Sequence, residues 1–149
     1  MNANERFGLK SLLLVSLLAL SACGSTPEVD RSRIETSERT TLMDAAAQGK
    51  VEQVKARLDE GAQINAMGPD GTPLFLAAAN DRDSVVWNLL REGADPDRGR
   101  DDGTTPLMAA ASSGNKRIVD MLLAAGADIA ATNNNGNTAL SYAVLNSQL

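Results

Sequence analysis

Few side chains in this sequence have the type and spacing that chemistry requires. The pairs Asp95/Asp97 and Asp101/Asp102 bring carboxylates close together, a pattern used in acid–base chemistry and Ca²⁺ binding. Neither pair matches a full Ca²⁺ loop. The alternative interpretation is that both pairs lie at solvated turn tips, where Asp is common. The chain has no His and one Cys, so the usual pairs of nucleophile and base are missing. We therefore expect no enzyme activity, no metal site and no cofactor.

The one cysteine, Cys23, follows a segment that has three recognisable parts. Arg6 and Lys10 precede an apolar run over residues 11–20, and small residues lie directly before Cys23. A basic start, an apolar middle and small residues at the end are typical of a secretory signal. The apolar run is too short to span a bilayer comfortably.

Leu20-Ser21-Ala22-Cys23 resembles the bacterial lipobox, in which the Cys is diacylated, the preceding peptide is removed and the new amino terminus receives a third chain. An ordinary secretory peptide and an uncleaved anchor are the alternatives. Two or three acyl chains hold a protein on a membrane stably, whereas one does so only marginally. The resemblance implies a signal peptide over 1–22, lipidation at Cys23 and membrane attachment by lipid alone. Gly24, which stands where inner-membrane lipoproteins carry Asp, favours the periplasmic face of the outer membrane in a bacterial cell envelope.

The rest of the chain contains a block that recurs every 32 or 33 residues. The leucines of this block are Leu42, Leu74, Leu107 and Leu140. The glycines of a second recurring phrase, Leu-x-x-Gly-Ala, are Gly61, Gly93 and Gly126. Fixed periodicity of this length indicates an array of stacked units.

Each unit has the pattern of two helices followed by a turn. Thr72-Pro73 and Thr105-Pro106 place a capping hydroxyl ahead of a proline at the first helical position. These pairs predict short, Ala-rich helices that begin at the prolines. The second helix carries Val, Ile and Leu at the spacing of one buried stripe, and a glycine such as Gly93 ends it in a left-handed conformation. Stretches rich in Asp, Asn and Gly then predict a turn.

These phrases resemble the ankyrin repeat, whose hallmarks are Gly-x-Thr-Pro-Leu, an Ala-Ala pair, a Val/Leu-Leu stripe and Gly-Ala-Asp. The resemblance covers about residues 37–149. It implies an all-α fold, an ankyrin-repeat solenoid of stacked helix-turn-helix units with short β-turn tips and about three and a half repeats. Ankyrin repeats usually have His directly after the recurring Leu, and this chain has no His at any of these positions. In the final half-unit, Tyr142 is expected to cover the open end of the core.

Three segments follow from these features. Residues 1–22 are the expected lipoprotein signal peptide, and residues 23–38 are the lipidated Cys and a flexible tether with a span of roughly 20 Å. Residues 31–39 have a second interpretation, as a helix against the first repeat. The repeat domain is predicted over 39–149, with units at about 39–70, 71–102, 103–135 and 136–149.

Ankyrin-like stacks bind other proteins through their concave side, which is formed by the turn tips and the exposed side of the first helices. The resemblance therefore implies a partner-binding surface at the matching positions, called here the concave surface. Its turn-tip residues are Pro69, Asp70, Arg100, Asp101, Asp102, Thr104, Asn133, Asn134, Asn135 and Asn137, and its helix residues are Asn80 and Ser113. Ordinary loop solvation is the alternative interpretation.

Trp87 is a separate candidate for binding. It occupies a position in the second helix that ankyrin repeats usually give to Glu, which predicts a place on the convex back beside Asn88. An exposed Trp is a typical binding hot spot. Packing over the neighbouring helix is the alternative.

Charge limits the kinds of partner that the chain can bind. Without residues 1–22, which contain Arg6, Lys10 and Glu5, the chain keeps 12 basic and 18 acidic residues, a net charge of −6. Nucleic acid is not expected as a partner, because the clustered Lys and Arg that contact phosphates are missing. An acidic field favours a basic protein partner through the rate of encounter. We expect one protein partner, unidentified by the sequence, and a monomeric chain.

The resemblance as a whole implies a membrane-anchored protein-interaction module in the bacterial periplasm. Small periplasmic ankyrin proteins suggest two versions of that function, immunity to a secreted toxin and support of a periplasmic enzyme such as catalase in oxidative stress. A structural role as an envelope scaffold is a third version. The sequence does not choose among the three.

Overall fold

The computed structural model describes residues 42–146, which all belong to one compact unit, Glu35–Leu149. Within this range the backbone forms seven helices and no strand. The predicted signal peptide, the lipidation site Cys23, the tether over 23–38 and the first residues of the repeat domain lie outside the described residues. No helix between residues 42 and 146 has the length and apolar character needed to cross a membrane.

The helices alternate between two kinds along the chain. The first helices of the units are α1 (42–48), α3 (Pro73–Ala79), α5 (Pro106–Ser113) and α7 (Ala139–Asn146). The second helices are α2 (Val51–Asp59), α4 (Asp83–Arg91) and α6 (Lys116–Ala124). Helix α3 packs on α5 and α5 packs on α7, while α4 lies between α2 and α6. The all-α repeat solenoid implied by the sequence is therefore confirmed.

The first helices begin at the Thr-Pro pairs, as predicted. The Thr72 hydroxyl accepts a hydrogen bond from the Phe75 amide at 3.2 Å, and Thr105 accepts one from Met108 at 3.3 Å. Helix α7 lacks the proline and uses a reciprocal pair instead. The Ser141 amide donates to the Thr138 hydroxyl, and the Thr138 amide donates to the Ser141 hydroxyl.

The second helices end at glycines, also as predicted. Gly93 has a φ of +90°, and the next amide, that of Ala94, donates to the Leu89 carbonyl at 2.9 Å. This geometry is the left-handed helix end that favours glycine. Asp81 takes a left-handed conformation with a φ of 57° after α3, where the first and third units have Gly49 and Gly114.

The core is one stripe of side chains that runs through all the units. Leu42, Leu74 and Leu107 are at most 2% exposed, and the second helices contribute side chains that are completely buried. Those second-helix residues are Val54, Val85, Val86, Leu89, Ile118 and Leu122. The small residues Ala77, Ala78 and Ala110 are also fully buried and let the first helices approach closely. Within the described range every core residue lies between 42 and 142, so the segment 24–149 contains all of them, and we expect it to fold as a unit.

Candidate functional site

Each turn tip of the concave surface is closed by its own backbone hydrogen bonds. At the first tip, Gly68 and Gly71 exchange two hydrogen bonds of 3.0 and 3.2 Å, which leaves Pro69 and Asp70 exposed between them. At the second tip, the Arg100 amide donates to the Thr104 carbonyl at 2.9 Å. The tips are thus tight β-turns that hold their outermost side chains toward solvent.

Neighbouring tips are also bonded to one another. The Asn134 amide donates to the Asp102 carbonyl at 2.8 Å, which joins the second and third tips. The Thr72 amide and hydroxyl donate to the Gly99 and Arg98 carbonyls at 3.1 and 2.7 Å, which joins the base of the first tip to the second. The structure therefore brings the predicted tip residues together in one ordered row, because each backbone is held by the next.

The second tip carries the clearest electrostatic feature of the row. Hydrogen bonds from the Thr104 side chain and amide, helped by the nearby Arg100 guanidinium, hold the pKa of Asp102 below its ordinary value. The Arg100 guanidinium also lies 5.8 Å from the centre of the Phe75 ring, so its position is partly fixed. Asp101 and Asp102 are both exposed, so this tip presents two neighbouring carboxyl groups to solvent.

The third tip differs from expectation at Asn133, which was assigned to the binding surface. Its side chain is 6% exposed and is used inside the turn. The Asn133 Oδ1 accepts hydrogen bonds of 3.0 Å from the amides of Asn135 and Asn137, and its Nδ2 donates to the Tyr142 hydroxyl at 3.0 Å. Asn133 therefore builds the tip rather than facing a partner, whereas Asn134 and Asn135 are exposed.

The two helix residues of the concave surface are exposed but have local partners. Asn80 donates to the Leu76 carbonyl of its own helix at 2.7 Å. The Ser113 hydroxyl donates to the Asp81 carboxylate at 2.9 Å, and Asn115 donates to the same carboxylate at 3.1 Å. Asp81 thus connects the second unit to the third. Sequence reasoning missed this contact because Asp81 stands where the first and third units have glycine.

Trp87 is 49% exposed, so the interpretation as an exposed aromatic on a second helix is the one that the structure favours. The Arg91 guanidinium stacks over its ring at 4.5 Å. Trp87 borders a surface groove of about 500 Å³ with Met121 and Arg117 from helix α6. The arrangement of cation and aromatic ring is a second surface suited to a protein partner.

The last feature is an apolar groove of about 340 Å³ on α5, α6 and α7, called here the end groove. Its lining residues are Leu107, Ala111, Gly114, Lys116, Val119, Leu123, Ile129, Ala139, Leu140 and Ala143. Tyr142 was expected to cover this end of the core. Its ring does pack against the core and its hydroxyl accepts from Asn133, but Leu140 and Ile129 remain 69% and 64% exposed.

Acidic residues are numerous in the described range, yet they do not converge. Between residues 42 and 146 no group of three His, Cys, Asp or Glu side chains is placed to hold a metal ion. Asp95 and Asp97, the paired carboxylates of the sequence, each accept a hydrogen bond from a backbone amide in the turns. Asp95 accepts from Asp97 at 3.0 Å, and Asp97 accepts from Asp128 at 2.7 Å.

Comparison with known proteins bears on the fold and on the kind of function. The model of the family described as ankyrin repeats in three copies matches residues 5–100 and 74–149. These matches cover far more than half of the chain, and they agree with the repeat length, the Thr-Pro caps and the glycine helix ends.

Curated relatives share part of this chain. A mitochondrial disaggregase from Bos taurus is 45% identical over 71 residues, which is 47% of this chain and 10% of that protein. The Homo sapiens mitochondrial disaggregase is 34% identical over 98 residues, 65% of this chain and 13% of that protein. A human BCL-6 corepressor-like protein 1 is 30% identical over 92 residues, 61% of this chain and 5% of that protein. The chain spans only a small part of the length of these relatives.

Proposed function

Because the chain belongs to the ankyrin-repeat family, a family of protein-interaction modules, we propose that it binds one protein through the concave surface and performs no chemistry of its own. The observation that carries this proposal is the row of bonded tips, in which the Asn134 amide donates to the Asp102 carbonyl. A surface that is ordered before binding loses little conformational entropy when a partner docks. Tight turns with exposed polar tips meet that condition.

The exposed side chains of the row indicate which chemical groups a complementary partner surface carries. Asp101, Asp102 and Asp70 are exposed, and the hydrogen bonds from Thr104 that lower the pKa of Asp102 stabilise its charged form. Exposed amides at Asn134 and Asn135 add hydrogen-bond donors and acceptors. The matching partner surface carries basic side chains for the carboxylates and polar groups for the amides.

We place this binding event on a membrane in the bacterial envelope, because Leu20-Ser21-Ala22-Cys23 has the lipobox pattern. The mammalian relatives share a limited part of their length with this chain, so the anchor stands on the sequence pattern alone. A Cys23→Ser variant tests it. Loss of acylation, with release or misprocessing of the protein, supports the anchor, and membrane retention without acylation contradicts it in favour of an uncleaved helix.

The binding surface is tested by capture from an envelope extract, with residues 24–149 as bait. The altered bait carries Asp101→Ala, Asp102→Asn and Asn134→Ala. Asn at position 102 keeps an oxygen for the Thr104 amide, which donates to Asp102 Oδ1 at 2.9 Å in the structure, so the turn is preserved. One protein in stoichiometric amount that the altered bait loses supports the concave surface.

A matched control variant separates surface position from net charge. Gln53→Ala, Glu92→Ala and Asp120→Asn make the same changes in the numbers of carboxylates and amides at exposed positions outside the tips and the first helices. This variant should capture the partner as well as the unaltered bait. Equal loss with both variants would mean that charge alone drives capture, and the surface assignment would be wrong.

The biological context is tested genetically, and immunity to a secreted toxin is the version we put first. It predicts a toxin gene beside this one and death of a deletion strain only when that toxin is present. Peroxide sensitivity of the deletion strain would instead indicate support of a periplasmic enzyme such as catalase. Envelope leakage without either phenotype would indicate a scaffold.

A further inference from the structure

The end groove has the same construction as the contacts inside the stack, except that its outer side is open. Leu140 occupies the place in its unit that Leu107 occupies one unit earlier. Leu107 is 2% exposed because the second helix of its own unit, α6, covers it, whereas Leu140 is 69% exposed. Among the described residues, the groove therefore presents one side of a repeat interface to solvent.

The interior of the stack shows what such an interface accepts. The counterpart of the end groove one unit earlier is filled by helix α6, whose Ile118 and Leu122 are both completely buried. Helix α4 buries Val85 and Leu89 at the same spacing. A β-branched residue followed four positions later by Leu lies on one face of a helix. We therefore expect the groove to accommodate a helix that presents such a pair of side chains.

The charges at the rim add a second requirement. Inside the stack, Asp83 at the start of α4 lies 3.3 Å from the Arg117 guanidinium of the incoming helix α6. Arg117 directly precedes the buried Ile118. At the end groove the counterpart of Asp83 is Lys116, which lines the rim and is exposed. Since the sign of the rim charge is reversed, the incoming helix needs an acidic residue directly before its β-branched one.

We infer that the end groove binds an amphipathic helix of a partner protein. In that helix Asp or Glu directly precedes Ile or Val, and Leu lies four residues after the Ile or Val. The helices of this chain that carry the apolar pair do not meet the charge requirement. Gln53, Ser84 and Arg117 stand at the position that needs an acid. A second copy of the described helices is therefore a poor occupant. The site is separate from the concave surface and does not depend on the proposed function.

Two peptides taken from this chain test the charge requirement. Both span residues 115–125, with a side-chain lactam bridge because a helix of this length is marginal in water, and both carry a fluorescent label. One retains Arg117 and the other has Arg117→Glu. Binding to residues 24–149 is measured by fluorescence anisotropy. The Glu peptide should bind about five-fold more tightly, as expected for one exposed ion pair.

Variants of the protein then locate the binding site. Lys116→Glu should reverse the preference, so that the Arg peptide binds more tightly. Leu140→Asp should weaken both peptides at least about ten-fold, since it places a charge in the apolar groove. Its unfolding midpoint verifies that the variant is folded, as expected for a side chain that is mostly exposed. Asp101→Ala, on the concave surface, should leave peptide binding unchanged.

Three results would overturn the inference. Equal binding of the two peptides, or a preference that survives Lys116→Glu, would refute the charge requirement. Peptide binding that persists in a folded Leu140→Asp variant would place the peptide elsewhere. In sedimentation of the unliganded protein, a dimer that Leu140→Asp dissociates would show that a second copy occupies the groove instead. A monomer in that experiment supports the partner helix.

Discussion

Truncation of equivalent leucines at two positions in the array should have very different effects on stability. Leu107 is 2% exposed, between α3 and α7, and Leu140 is 69% exposed at the end groove. Leu107→Ala removes a buried side chain and leaves a cavity that a close-packed stack fills only in part. Such a truncation costs about 2–5 kcal/mol in protein cores, and we expect about 3 kcal/mol. Leu140→Ala should change stability by less than about 0.5 kcal/mol, as most surface substitutions do.

The two variants are compared by urea unfolding of residues 24–149. Helical circular dichroism reports on all the units, and fluorescence of Trp87, the one tryptophan in the chain, reports on the second unit. Leu107→Ala should lower the midpoint strongly in both signals, because each unit is stabilised by its neighbours. Similar small shifts for both variants would refute the buried register of the leucines. A large loss for Leu140→Ala would mean that the end groove is covered in the free protein.

Three further predictions concern single turns. Gly93→Val should cost about 1–2 kcal/mol, all of it backbone strain, because Gly93 has a φ of +90° and an added Cβ would meet no atom within 4 Å; an unchanged urea midpoint contradicts this. Asn133→Ala should cost about 1–3 kcal/mol through its lost hydrogen bonds, and Asn133→Asp, which keeps the acceptor, should cost less in the same unfolding assay. Because the pKa of Asp102 is lower in the folded protein than in the unfolded chain, its ionisation stabilises the fold at any pH above the unfolded pKa. This contribution is lost as the pH falls through the folded pKa. Acid titration of Asp102→Asn should therefore show a shallower loss of stability below about pH 3.8, the ordinary value, and an identical slope would contradict it.

The fold was predictable from the sequence because each level of the sequence pattern agreed with the others. The Thr-Pro pairs fixed the starts of α3 and α5, the glycines fixed the ends of the second helices, and the spacing of Leu42, Leu74 and Leu107 set the stack. These signals are local, and each has a physical cause that does not depend on distant residues. The start of helix α7 at Thr138 had the weakest sequence signal, because no proline follows Thr138. The hydrogen bonds between Thr138 and Ser141 cap this helix instead.

The candidate site was only partly predictable. Its position in the family pattern placed Asn133 on the binding surface. In the structure its side-chain amide is hydrogen-bonded to Asn135, Asn137 and Tyr142, and only the folded turn brings these residues together. The contact between Asp81 and Ser113 was likewise invisible, since it joins residues of different units. The burial of Leu107 was predictable from the repeat itself, because the second helix of its own unit covers it.

Photo-crosslinking in living cells that produce the full chain tests directly whether a partner binds the concave surface. A photoreactive amino acid is placed at Asp101 on the second tip, or at Gln53 on helix α2 as a matched exposed position. Binding through the concave surface predicts one protein adduct from position 101. This adduct should be absent from position 53, and absent again when Asn134→Ala and Asp102→Asn are added. An adduct from position 53 alone, or one that those changes leave intact, would contradict binding through the concave surface.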